Sequence, residues 1–150
     1  MNLEHCTDIR DLGILFDSSL NFVDHINKIR TDSIKRLGFI VRNCNAFTNT
    51  MALDVLYFSY VRSKLEYGAI IWNPYYQVHK EALEKVQRRF LKFRVYKQTG
   101  HYPERGYDQA ALLNMCNFQS LESRRNGQSL KFLHKLLYNK VDSPGHSLIS

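Results

Sequence analysis

Apolar residues recur at helical spacing through most of this chain, and that periodicity limits the folds open to it more than any other feature. Between Asn21 and Asn43 they fall at Phe22, Ile26, Ile29, Ile34, Leu37, Ile40 and Val41. Spacings of mostly three to five positions put them on one side of a helix. Lys28, Arg30, Lys35, Arg36 and Arg42 take the other face. Asp17-Ser18-Ser19 supplies a start signal ahead of this run, and Asn43 and Asn45 suit its end, because asparagine tolerates left-handed backbone. Thr48-Asn49-Thr50 caps a second helix expected from about Met51 to Tyr67, through Leu53, Leu56, Tyr57, Tyr60, Val61, Lys64 and Leu65. Gly68 either ends this helix or is a close-packing point inside a longer one, and Asn73-Pro74 closes the segment.

A third helix is expected from about Val78 to Tyr96, with Leu83, Val86, Phe90 and Phe93 on one side and Lys85, Arg88, Arg89, Lys92 and Arg94 over the remainder. Gly100–Gly106 reads as a loop, Asp108–Cys116 as a short helix, and Leu121–Tyr138 as a last helix built on Leu121, Leu130, Leu133, Leu136 and Leu137. Ahead of all these, Ile9, Ile14, Leu15 and Phe16 flank Gly13, which reads as one or two strands about a tight turn near Asp11–Gly13. The expected fold is mainly α: a short N-terminal β-hairpin or strand followed by a helical bundle of about five helices, in a single domain.

At 150 residues and 44% hydrophobic, the chain can bury a real core without metal or disulfide support. Its net charge of +7 predicts attraction to a polyanion: nucleic acid, an anionic membrane or an acidic partner. Three cysteines, Cys6, Cys44 and Cys116, form no C-x-x-C pair, so a zinc ribbon is not expected; His5 beside Cys6 is too isolated for a metal site. An odd cysteine count and an N-terminus lacking a signal-peptide core point to reduced thiols inside the cell, in nucleus or cytoplasm. No apolar run is long enough to cross a membrane, and no membrane partner is expected.

Several strings carry a resemblance. They are D-L-G-I-L-F-D at Asp11–Asp17, L-x-F-x-x-H-I at Leu20–Ile26, L-G-F-I at Leu37–Ile40, and L-Y-F-S-Y-V-R-S-K-L-E-Y-G at Leu56–Gly68. Trp72-Asn73-Pro74, V-Q-R-R-F-L-K-F at Val86–Phe93, Tyr107, Arg124–Arg125 and D-S-P at Asp142–Pro144 follow in order. Together they resemble the C-terminal part of non-LTR retrotransposon reverse transcriptases, above all the jockey-like elements. The resemblance implies that residues 1–19 are the end of the palm with its primer-grip strands, 20–140 a helical thumb and connector, and 141–150 a tail. It implies a duplex partner, RNA–DNA or DNA; the palm domain or a second copy is the other partner expected. The family's catalytic carboxylates sit in a Tyr-x-Asp-Asp hairpin, and no such string stands here. The expectation is therefore a non-catalytic fragment that grips template–primer and holds no cofactor, although the parent polymerase would use Mg2+. The alternative is a helical interaction or self-association module without a nucleic-acid role.

Arg88, Arg89 and Lys92 are the first binding candidates, since arginine's fork matches phosphate oxygens without reading sequence. Glu81 and Glu84 offer competing partners to Lys85 and Arg88 at helical spacing. Lys85, Arg62 and Lys64 complete the basic set, with Glu66 a possible partner for Arg62. Leu12 and Gly13 stand where the resemblance puts the primer grip. Tyr57, Tyr60, Tyr67 and Trp72 could stack on bases, but their helical spacing favours the core. His25 shows no catalytic partner and reads as a satisfied or capping residue. Asp8, Asp11 and Asp17 read as turn and capping groups rather than metal ligands. Arg124 and Arg125 either contact nucleic acid or fix a helix by salt bridges.

Overall fold

The computed structural model describes residues 8–138. Cys6, His5 and the Asp142–Pro144 string lie outside them, as do the first seven residues of the expected palm end and the expected tail. Strands β1 (Asp8–Asp11) and β2 (Ile14–Asp17) pair antiparallel with Asp11 opposite Ile14. Leu12 and Gly13 join them at φ 45° and 85°, the two left-handed residues of a type I′ turn, whose twist matches that of a hairpin. Glycine adopts this freely; Leu12 does so under strain and with 80% of its surface exposed. Ile14 is the hairpin's buried residue.

Helix α1 (Val23–Asn43) starts slightly later than its sequence signal. The Asp17 carboxylate accepts from the amide and hydroxyl of Ser19 at 2.9 and 2.8 Å and from the amide of Asn21 at 3.2 Å. Asn21 Oδ1 then accepts from the amide of Val23 at 2.9 Å. These local bonds compete with helical ones and hold the chain in turns until Val23. From there Ile26, Ile29, Ser33, Leu37 and Ile40 are buried at three- and four-residue steps.

The second helix is interrupted. It runs as α2 (Thr50–Leu56), a π-helical segment (Tyr57–Arg62) and α3 (Ser63–Glu66), and Asn49 caps its start by accepting from the amide of Met51. Within it the amide of Ser63 donates to the carbonyl of Phe58, five residues back. The cause is legible in the spacing of the buried residues: Leu53, Tyr57, Val61 and Leu65 come every fourth position. An α-helix drifts about 40° for each such step. The wider π turn recovers the drift and keeps all four facing the core.

Gly68 ends this helix at φ 65°. It is also a close-packing point, since a Cβ there would lie 2.7 Å from Ile14 Cδ1. One turn, α4 (Ala69–Trp72), leads to α5 (Gln77–Thr99), which continues almost a turn beyond the expected end and stops at left-handed Gly100. Asp108 and Ser120 cap α6 (Gln109–Cys116) and α7 (Leu121–Leu137) through their side chains. The architecture is thus mainly helical behind a short hairpin, as expected.

The main core joins Ile14, α1, the second helix, Trp72 and α5. Tyr57 stacks on Phe90 with ring centroids 4.0 Å apart and planes within 5°. A smaller core of Leu91, Val95, Leu112 and Cys116 ties α6 to α5. Of the four aromatics weighed for stacking, Tyr57 and Trp72 are core, whereas Tyr60 and Tyr67 are exposed. The last helix departs from its periodic reading. Leu121 is buried, but Leu130, Leu133 and Leu137 are half or more exposed, because α7 packs on the bundle through its first turns only. Cys44 and Cys116 are free and buried. Among the described residues no group of three or more His, Cys, Asp or Glu could hold a metal ion, and no helix is long and apolar enough to cross a membrane.

Candidate nucleic-acid interface

Two basic regions emerge, and the acceptors around each decide how its cations are employed. On α5, Glu84 is a hub. Its Oε1 accepts from the amide of Glu122 in the first turn of α7 at 2.9 Å, and its Oε2 accepts from Gln109 Nε2 at 2.8 Å. Gln109 Oε1 in turn accepts from Arg88 Nε and Nη2 at 3.0 and 2.6 Å. Arg88 is therefore spent largely on joining α5 to α6. Lys92 Nζ donates to the Glu104 carbonyl at 2.7 Å. Lys85 and Arg89 are exposed and have no side-chain partner among the described residues. The four residues Lys85, Arg88, Arg89 and Lys92 do share one helix face, but two of them have committed donors. Their acceptors are neutral, so the positive charge persists while the hydrogen-bonding capacity falls. Burial pushes the Glu84 carboxyl up, partly offset by the Glu122 amide.

Arg62 points inward. Its guanidinium lies 3.7 Å from the Phe58 ring centroid, and its Nε is 4.0 Å from Glu66. Burial, then the charge of Arg124, holds the Arg62 guanidinium below its ordinary range. Arg124 takes Glu66 in a two-point clasp, Nε to Oε1 and Nη2 to Oε2, the latter at 3.0 Å. Arg125 is 1% exposed and donates to Asn73 Oδ1 at 3.2 Å. Arg124 thus fixes α7 by a salt bridge, and buried Arg125 does so through a neutral amide rather than an ion pair.

The second basic region lies beside the hairpin. Arg36, Ser63, Lys64 and Tyr67 line a cleft of about 310 Å³, and none of these residues is acidic. Arg36 on α1 donates through Nη1 to the carbonyl of Tyr60, inside the π segment, and lies 4.7 Å over the Tyr60 ring. Lys64 has no hydrogen-bond partner among the described residues. Tyr67 donates its hydroxyl to the Leu12 carbonyl at 3.0 Å, which ties the hairpin tip to the cleft wall. Sequence reasoning found Lys64, Leu12 and Gly13 but missed Arg36 and the Tyr67 brace. No local sequence signal marks Arg36, because its contact with the Tyr60 carbonyl spans 24 positions.

His25 lies beneath the hairpin, edge-on to Trp72 at 5.4 Å, and its Nδ1 accepts from the amide of Leu15 at 3.2 Å. Burial, then Lys64 and Lys28, lowers its pKa and keeps it neutral, as that acceptor role requires. It is a satisfied structural residue.

Among curated proteins, the chain is 31% identical over 144 residues to "Uncharacterized protein B0403.1" of Caenorhabditis elegans. The similarity covers 94% of this chain and 69% of the nematode protein. The chain belongs to that protein's family. The shared region takes in nearly the whole chain, so most of the elements described above fall inside it. No family model matches the chain, and no solved structure does.

Proposed function

We propose that this chain is a non-catalytic nucleic-acid grip of the reverse-transcriptase thumb type, akin to the C-terminal region of jockey-like non-LTR retrotransposon polymerases. The observation that carries the reading is the cleft beside the hairpin. Arg36 and Lys64 face it without a carboxylate in its lining, and Tyr67 joins it to the Leu12–Gly13 turn. Such a surface suits backbone phosphates: a planar fork and a point charge side by side, with no base-reading geometry. Lys85, Arg89 and Lys92 on α5 supply further positive field. The strings from Asp11–Asp17 to Val86–Phe93 support the family assignment, and the composition supports a polyanion partner.

Fluorescence anisotropy with an RNA–DNA duplex tests this. With five or six phosphate contacts, log K against log salt should slope by about −4.5 to −5.5, and affinity should drop about a thousandfold between ~50 and ~200 mM salt. Arg36→Ala and Lys64→Ala should each reduce the slope by about one. Binding that ignores salt, or no binding, defeats the proposal.

One observation favours a second reading, a self-association module. Leu130, Leu133 and Leu137 form an exposed stripe at the three- and four-residue steps of a helix-pairing seam. Light scattering on the eluting protein separates the two. A monomer with salt-sensitive duplex affinity supports the grip; an oligomer that Leu133→Asp dissolves supports the module.

A further inference from the structure

The loop between α5 and α6 shapes a cleft of about 330 Å³, distant in sequence from the hairpin. Val95, Tyr102, Pro103, Glu104, Tyr107 and Met115 are among the residues that line it. Val95 belongs to the smaller core with Leu91, Leu112 and Cys116, so one side of the cleft is rigid. The loop is held by bonds that leave its aromatic faces unused. The Glu104 carbonyl accepts from Lys92 Nζ at 2.7 Å and from the amide of Tyr107 at 3.3 Å. The Tyr107 hydroxyl reaches only the Met115 sulfur, at 3.7 Å. The Tyr102 ring leans on Tyr96 at 5.9 Å, and both Tyr102 and Tyr107 remain substantially exposed. Lys92 at the loop, exposed Arg89 one helical turn before it and exposed Arg105 beside Glu104 outnumber the two carboxylates of this stretch, Glu104 and the α6 cap Asp108.

We propose that this cleft takes one unpaired base of a nucleic-acid strand, stacked on Tyr102 or Tyr107, with the adjoining phosphates directed to Lys92, Arg89 and Arg105. The volume is at the low end for ligand pockets and suits one flat ring system. Tyrosine faces stack any base, so no sequence preference is required. A paired base is hidden in its own stack and cannot enter, so the ligand is single-stranded. A methylated ammonium, the other guest of aromatic clefts, is disfavoured by the surrounding cations. The inference rests on the nucleic-acid reading and adds to it a site for a single-stranded extension.

The test uses the full chain and three probes: a blunt RNA–DNA duplex, the same duplex with a short single-stranded overhang bearing 2-aminopurine, and the overhang strand alone. The overhang should tighten binding about tenfold, and the probe's fluorescence should be quenched by stacking. Tyr102→Ala or Tyr107→Ala should remove that gain and the quenching while leaving blunt-duplex affinity and the melting temperature unchanged; the corresponding phenylalanine variant should restore both. If blunt duplex binds but the overhang adds nothing, or quenching survives in both alanine variants, the cleft is not a base site. Displacement by tetramethylammonium but not by free nucleotide also overturns it. If the overhang strand binds with tyrosine-dependent quenching while blunt duplex does not, the cleft stands and the duplex-grip reading falls.

Discussion

The arginines around Glu66 and Glu84 and the cations beside the hairpin are the same residue types in the same small bundle, yet they do opposite work. Glu66 holds Arg124 and approaches Arg62; Glu84 reaches Arg88 through Gln109 and anchors the start of α7. Arg36 and Lys64 face a cleft whose lining has no acid. What separates a structural cation from an available one is how many of its donors are taken, by carboxylate at Arg124 and by neutral oxygens at Arg88 and Lys92, not the density of arginine and lysine along the chain.

The largest effect should come from removing a hub. Glu84→Ala removes the carboxylate that accepts from the Glu122 amide in the first turn of α7 and the largest compensating charge on buried Arg125, which should cost about 3 kcal/mol in urea denaturation. A loss below about 1 kcal/mol would erase the distinction between the two regions. At the hairpin side the balance should reverse. Lys64→Ala should cost less than about 0.5 kcal/mol of stability while weakening duplex binding about tenfold at low salt. If stability suffers more than affinity, the cleft is structural too.

A smaller effect concerns the turn. Leu12→Asn places the residue preferred in a type I′ turn where a strained leucine now stands, and should stabilise the fold by about 1 kcal/mol. If the exposed leucine serves binding, the same variant should lose duplex affinity; unchanged affinity confines the grip to the cations.

The smallest effect is a pH dependence. His25 has a folded pKa below its ordinary 6.5, so the unfolded chain binds the proton more readily. Its contribution is fully present above pH 6.5 and is lost as pH falls below that value. Urea midpoints should therefore drop on mild acidification, and His25→Gln should flatten that part of the profile. Because Lys64 adds to the depression, Lys64→Ala should soften the acid sensitivity slightly.

Most of the fold was legible because helical periodicity and capping residues are local. Asn49 caps where expected, the short helix and the last helix begin within a residue of their expected starts, and the helix on Leu83, Val86, Phe90 and Phe93 forms as read. The shortfalls are non-local. The spacing of Leu130, Leu133 and Leu137 proves amphipathicity but not which surface covers it. Gly68 could be resolved only once Ile14 was seen against it. Glu84 is the competitor for Arg88 that the spacing offers, but the acceptors that Arg88 and Lys92 reach, Gln109 and the Glu104 carbonyl, lie on α6 and in the loop before it, 21 and 12 residues away in sequence. Arg36 was passed over as one more polar-face cation, since nothing near it in sequence announces the Tyr60 carbonyl it reaches.

The π segment has a consequence for how this surface can vary. It works as a phase shifter: one surplus residue is absorbed in the wider turn, so everything after Arg62 lies about 100° behind where an unbroken α-helix of the same length would put it. Excising a single residue from Tyr57–Arg62 would let the ladder relax into ordinary geometry at little local cost. Lys64 would stay at the cleft and Tyr67 under Leu12, because the lost residue and the lost set-back cancel; forcing the full-length segment into α geometry is what would swing both away and unlatch the hairpin.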